Sequence, residues 1–328
     1  MLREKIQNRI CTNWLFLPVC IFIAFVLWWF PQGDYSSAHI WGLGLCLLTT
    51  YILTETDTIN SLIRIRARST SSLWLVIISC MGFLHPYHPW TVTATCMAAS
   101  HFFLFRTYQE HQPVVDIFHS FLLLGLACLY LPQMICLLPF YFWYLIVFLR
   151  ALTFRGFWAG IIGFLLPGWF VINICFFTNR MALVTGWMND LTTLQSLCMA
   201  GYVAIPPHTR ICWAFVIGLS LWCGIYYLLN SYNDKIRTRM LHYILIMQSS
   251  LIFLMAALQP HLAEKLLMTM MVCCITCIAH YFTLTRTWTA TLVFIVSAIA
   301  LTAIAVMTLS RNSEITTLLP NIITKLIQ

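Results

Sequence analysis

Chemistry in this chain would have to come from a few polar residues at the edges of long apolar runs. Asp34 is the acid of the short segment Pro31-Gln32-Gly33-Asp34-Tyr35. A carboxylate at the edge of an apolar run, near cationic side chains, can act as a general base or hold a divalent metal. Gly-Asp is equally ordinary turn chemistry. His85 and His88 stand in a His-x-x-His spacing, with Pro86 and Pro89 beside them. Two imidazoles three residues apart could share a metal if His39, His261 or Glu264 joined them, and otherwise form an interfacial turn. Arg180 and Arg210 bracket a long segment, and their guanidinium groups could bind phosphate bidentately or pair with lipid head groups or Asp190.

A second polar stretch holds Glu55, Asp57, Asn60, Arg64, Arg66 and Arg68, and a third Glu110, Asp116 and His119. The Asn60 to Arg68 stretch could take an anionic partner or simply set orientation. Cys274-Ile275-Thr276-Cys277 is formally a CxxC, but it falls in the middle of an apolar run. There a cysteine reads as a small polarizable packing residue rather than a redox or zinc site. Walker loops, dinucleotide fingerprints, GxSxG elbows and HExxH motifs are all missing from the sequence.

The elements that must position these residues are membrane-spanning helices. The chain is 61% hydrophobic and 9% charged, with a mean hydropathy of +0.84. A soluble chain would carry roughly a quarter charged residues, so lipid is the solvent for most side chains here. The fourteen cysteines lie mostly within apolar runs, unlike a secreted disulfide scaffold. The apolar runs fall at 14–30, 38–54, 72–84, 90–105, 115–131, 134–149, 157–177, 211–229, 241–258, 266–284 and 288–309. The expected fold is one all-α integral domain over 1–328, a polytopic transmembrane helix bundle of about eleven spans.

Charge placement sets the expected orientation. Arg180, Arg210, Lys265, Arg311 and Lys325 fall on one side, and every other Lys and Arg on the opposite side. The positive-inside rule then makes the N-terminus cytoplasmic and puts Asp34, His85, His88, Arg180 and Arg210 on the outer face. The net charge of +8 is accounted for by orientation, and nucleic acid is not expected as a partner. Arg3, Lys5 and Arg9 before the first run resemble a signal peptide. The run itself is long, rich in Trp and Phe and without a small-x-small site, so an uncleaved span is expected.

Between Thr178 and Arg210, Met181, Val184, Trp187, Met188, Leu191, Leu194 and Cys198 fall at helical spacing opposite Asn189, Asp190, Thr193 and Gln195. This predicts an amphipathic helix near 181–200 on the outer surface, anchoring the chain or covering a cleft. Glu314 to Gln328 carries a weaker version of the pattern. Gly156, Gly160 and Gly163 form a ridge that lets helix backbones approach closely. No Asp, Glu, Lys or Arg sits near the centre of any run, which argues against ion-coupled transport and moves the search for chemistry to the membrane faces.

One stretch carries a resemblance. Asn60-Ser61-Leu62-Ile63-Arg64 leads into a Ser/Thr-rich turn and a short apolar hairpin. Phe121 to Ala127, Leu131-Pro132, an apolar run to Arg150, and Gly163 through Pro167 follow. This resembles an uncharacterised family of bacterial polytopic inner-membrane proteins. Its helix layout over about 58–174 is also similar to that of GT-C-type glycosyltransferases. The likeness implies transfer of a sugar from a polyprenyl-phosphate carrier on the outer face, with acids in the first outer loop as the catalytic mark. Asp34 is the position that matches, in a loop much shorter than those enzymes have. The basic residue common after Gly-Leu-Ala is replaced near Tyr130.

The resulting expectation is a GT-C-like transferase in the bacterial inner membrane. Asp34 would be its base or hold a divalent metal, with no other cofactor. Arg180 and Arg210 would bind the carrier phosphate, His85 and His88 would line the pocket, and the 181–200 helix would close over it. Partners would be membrane lipids, a polyprenyl-phosphate carrier and other membrane proteins. Two alternatives stand beside it. A transporter or flippase for a lipid-linked substrate would have a polar cavity lined by Thr49, Thr50, Gln248, Ser249 and Ser250. The other is a non-catalytic subunit of a membrane assembly.

Overall fold

The computed structural model describes residues 5–29, 37–65, 68–192 and 199–309, and among these all regular secondary structure is helical. α1 (Ile6–Thr12) and α2 (Phe16–Trp29) come first, then α3 (Ser37–Asn60), α4 (Ser69–Ser79), α5 (Pro89–Arg106), α6 (Val114–Tyr130) and α7 (Leu138–Val147). α8 (Phe154–Phe177) is followed by α9 (Met181–Thr192) and α10 (Met199–Ala204). The last four are α11 (Pro207–Asn230), α12 (Ile236–Leu258), α13 (Ala263–Leu284) and α14 (Trp288–Leu309).

Six helices, α3, α8, α11, α12, α13 and α14, are long and apolar enough to cross a membrane. α1 and α2 together make a further candidate, broken by an 85° bend. The chain is therefore a multi-pass membrane protein. The eleven-span expectation is met in part, because the runs at 72–84, 90–105, 115–131 and 134–149 fold as shorter or less apolar helices. α4 gives the reason. Nearly every residue of Ser69–Ser79 is buried against α2, α3 and α13. A helix enclosed by protein need not match the length of the lipid core.

α13 is the axis of the bundle. It is apolar on all faces and 89% buried along its span, whereas α14 is only 17% buried and lies at the periphery. All-round hydrophobicity suits a helix surrounded by other helices. Cys273, Cys274, Thr276, Cys277 and Ala279 are small enough to admit α4, α5, α11 and α12 at close range. The CxxC pair is buried within this contact.

The far end of α13 is closed by the N-terminal segment. Asn8 Nδ2 donates to the carbonyl oxygens of Phe282, Thr283 and Thr285 at 3.2, 2.8 and 3.1 Å. Gln7 Nε2 donates to Thr285 O at 3.3 Å, and Gln7 Oε1 accepts from Thr291 at 2.8 Å. The last carbonyls of a helix have no partner within it, and here α1 supplies one. Asn13 ends α1 in an extended conformation, and its Oδ1 accepts from Leu15 N at 3.0 Å, so the chain turns sharply into α2.

α6 and α8 meet through glycine. A Cβ on Gly163 would stand 2.5 Å from the Phe118 carbonyl oxygen, and one on Gly156 2.8 Å from Ile117 Cδ1. Gly125 of α6 lies equally tight against the Phe164 carbonyl. Trp158, Phe170 and Ile172 on the outward side of α8 are exposed, as a lipid-facing surface would be.

Candidate functional site

The N-terminal end of α13 carries a seam built by α9. At the end of α8, Asn179 takes a φ of 54°, a left-handed conformation that asparagine tolerates well. Arg180 N–H then donates to Cys175 O at 2.8 Å, and the chain folds back as α9. Two side-chain bonds fix α9 to the end of α6. Trp187 Nε1–H donates to Cys128 O at 2.9 Å, filling one of the orphan carbonyls of the last turn of α6. Gln133 Nε2, in the 3₁₀ turn Pro132–Leu137, donates to Asp190 O at 3.0 Å. The expected amphipathic helix thus exists over Met181–Thr192 and has no buried residue, as a surface-lying helix should. Residues 193–198 of the predicted 181–200 segment lie outside the described residues.

Two cavities of opposite character flank this seam. On one side an apolar groove of about 570 Å³ runs between α6, α8 and α9. Gly168 leaves space along its wall, and Leu129, Phe164, Val184 and Trp187 supply apolar surface. On the other side a polar pocket of about 260 Å³ is lined by Tyr130, Gln133, Asp190, His261 and Lys265. Gln133 Oε1 is buried there without a hydrogen-bond partner. An ammonium, an imidazole, a carboxylate and a vacant amide oxygen therefore stand beside a groove fit for a hydrocarbon chain.

The described residues among those singled out from sequence, His85, His88, Arg180 and Arg210, fall at this same end of α13 but not in one cluster. Asp34 lies outside the described residues. His85 is fully buried: its ring stacks on Trp28 at 4.0 Å, and its Nε2 lies 2.9 Å from the Ser79 carbonyl oxygen. Burial pushes its pKa down to about 4 against the opposing pull of that carbonyl, so the ring is neutral at pH 7. Its backbone sits directly over Gly42 of α3, where no Cβ would fit. His85 thus holds a turn together rather than facing a ligand. His88 is half-buried and stacked on Trp90 at 4.3 Å. Burial lowers its pKa while nearby Glu264 and the Phe83 carbonyl raise it. Arg180, at the α8–α9 corner, and Arg210, on the first turn of α11, are both exposed and line neither cavity.

Gln133, Trp187 and Lys265 were not read from the sequence as site residues. Gln133 carried a signal only as the residue after Leu131-Pro132, where a turn must leave polar groups to be satisfied. The interior also holds polar contacts the sequence did not reveal. His101 Nε2 and Gln248 Oε1 meet at 2.9 Å between α5 and α12, and Ser100, Ser120 and Tyr141 form a closed hydroxyl cluster. Of the residues expected to line a transport path, Thr49 pairs with Thr95 at 2.9 Å, while Thr50, Ser249 and Ser250 bond carbonyls of their own helices.

Among the described residues no group of three His, Cys, Asp or Glu side chains could hold a metal ion. No family model, curated protein or solved structure matches the chain.

Proposed function

We propose that this chain is a membrane-embedded transferase, GT-C-like in layout, acting on a polyprenyl-phosphate-linked sugar at the outer face of a bacterial inner membrane. The observation that carries the reading is the α9 seam, which sets a 570 Å³ apolar groove beside a 260 Å³ polar pocket. A site for an amphiphile needs both, a hydrocarbon wall for the tail and a few placed polar groups for the head. The prenyl chain occupies the groove along Phe164, Leu129 and Trp187. Lys265 and His261 meet the carrier phosphate, and Asp190 with Gln133 Oε1 accepts hydroxyls of the sugar. Arg180 and Arg210 add positive charge at the same end, where they draw an anionic carrier to the surface. Asp34 is the general base that takes a proton from the acceptor hydroxyl. The sparse Lys and Arg at this end of the bundle support its assignment to the outer face.

The test uses the full chain in nanodiscs with a photoreactive polyprenyl phosphate. Label should enter peptides of α8 and α9, and Gly168→Leu, which fills the groove, should remove it. Asp34→Asn should keep the label but abolish sugar transfer. Label spread over all lipid-facing helices would refute the groove, and normal transfer by Asp34→Asn would refute the base.

A further inference from the structure

The opposite end of α13, about 33 Å away at 1.5 Å per residue, holds a second cavity of about 570 Å³. It opens between the last turns of α3 and the start of α4, and its lining includes Asp57, Thr58, Ser61, Arg64, Arg68 and Ser71. Two guanidinium groups, four hydroxyls (Thr54 with Thr58, Ser61 and Ser71) and one carboxylate around a single space are an unusual set for a protein that is 9% charged.

Arg64 is held in place from behind. Its Nε donates to Asp234 Oδ1 at 2.9 Å, and Asp234 Oδ2 stands 3.0 Å from His280 Nε2. The Asp234 side chain is 4% exposed and that of Arg64 49% exposed, so the carboxylate is an internal anchor and the guanidinium reaches solvent. With Nε engaged, the two terminal nitrogens of the Arg64 fork remain unclaimed among the described residues. A fork held in this way is suited to bidentate capture of an oxyanion.

Arg68 is the N-cap of α4, and its side chain makes no cap hydrogen bond. The hydroxyls of Ser71 and Ser72 turn back onto Arg68 O at 3.1 and 2.7 Å. The first N–H groups of this eleven-residue helix therefore have no side-chain cap from Arg68, and Arg68 and Ser71 at its start line the cavity.

Asp57 supplies an independent observation. It is more than nine-tenths buried, its Oδ2 accepts the Thr70 hydroxyl at 2.8 Å, and its Oδ1 has no hydrogen-bond partner. A buried carboxylate oxygen left open beside an anion site calls for a hydroxyl on the same ligand.

We infer that this cavity binds a hydroxyl-bearing phosphate ester, with the phosphate on Arg64, Arg68 and the start of α4, and a neighbouring hydroxyl on Asp57 Oδ1. Either a soluble polyol phosphate or a phosphatidylglycerol head group carries a phosphate and a hydroxyl on one molecule. The volume is ample for either. The site stands apart from the α9 seam and does not depend on the function proposed for it.

The test measures thermal stabilisation and binding of the full chain. Glycerol 3-phosphate and inorganic phosphate are added to phosphatidylcholine nanodiscs, and phosphatidylglycerol nanodiscs are compared without additive. Stabilisation by glycerol 3-phosphate identifies a soluble ligand, and stabilisation confined to phosphatidylglycerol identifies a lipid head group; either supports the site. Arg68→Gln should weaken binding of the active probe about tenfold or more with ligand-free stability unchanged. Asp57→Asn, which can still accept from Thr70, should weaken glycerol 3-phosphate or phosphatidylglycerol while leaving inorganic phosphate unaffected. If no probe stabilises the wild type, or Arg68→Gln binds as well as wild type, the site is refuted. If Asp57→Asn leaves the hydroxyl-bearing probe unaffected, the role given to Asp57 is refuted.

Discussion

Replacing Gly163 by alanine tests how the bundle is packed. An added Cβ would stand 2.5 Å from Phe118 O, where ordinary contact begins at 3.4 Å, so α6 and α8 must part by about 0.9 Å. Gly125 grips the Phe164 carbonyl along the same crossing, so the helices cannot pivot away at one point without straining the other. Overpacking of this kind costs about 1–3 kcal/mol. Gly168 lies on the same helix with nothing within 4 Å of its own added Cβ. Alanine there should gain up to about 1 kcal/mol from helix propensity alone. The same propensity gain applies at Gly163 and cancels between the two variants, which should therefore differ by the overpacking cost, about 1–3 kcal/mol. The assay is unfolding of the purified protein by SDS titration in mild detergent micelles, followed by tryptophan fluorescence. Equal midpoints, or a Gly163→Ala protein more stable than Gly168→Ala, would mean that the α6–α8 crossing is not set by glycine contact.

Asn8→Ala removes one side chain that serves three carbonyls of the α13 end, and should destabilise by about 1–3 kcal/mol, read by the same titration. Trp187→Phe keeps the ring but loses the bond to Cys128 O, and should loosen α9 by about 1 kcal/mol. Faster maleimide labelling of Cys128 and Cys175 in that variant would report it, and unchanged rates would show that α9 is held by other contacts. Burial pushes the Asp234 carboxyl up, but His280 and Arg64 more than offset this and leave it below its usual value of 3.8. A depressed carboxylate adds stability above its unfolded pKa that is lost as pH falls through the folded one. The wild type should therefore lose stability below about pH 3.8, and Asp234→Asn should show a flatter profile there from a lower starting point. A variant with the wild-type profile would remove Asp234 from the ion network.

The sequence by itself determined the class of this protein. Long apolar runs with few charges can only be stable as helices in lipid, because each backbone group is satisfied within its own segment. That logic is local, and α2, α3, α8, α11, α12, α13 and α14 overlap closely the runs read from hydropathy. The glycine ridge of α8 and the amphipathic α9 were legible for the same reason, since helical periodicity is written in neighbouring residues. What hydropathy could not distinguish was an apolar helix facing lipid from one facing protein, so the short buried α4 read as a span. The candidate sites were legible only as a scatter of polar residues along an edge. Their grouping rests on pairs far apart in the chain: Asn8 with Thr283, Arg64 with Asp234, Trp187 with Cys128. A hydrogen bond is specific to geometry, and burial makes its absence costly, so tertiary packing decided which polar groups meet and which are left open to a ligand. His85 carries the lesson in one residue: its spacing left a ligand and an interfacial turn both open, and its burial against Trp28 made it a strut.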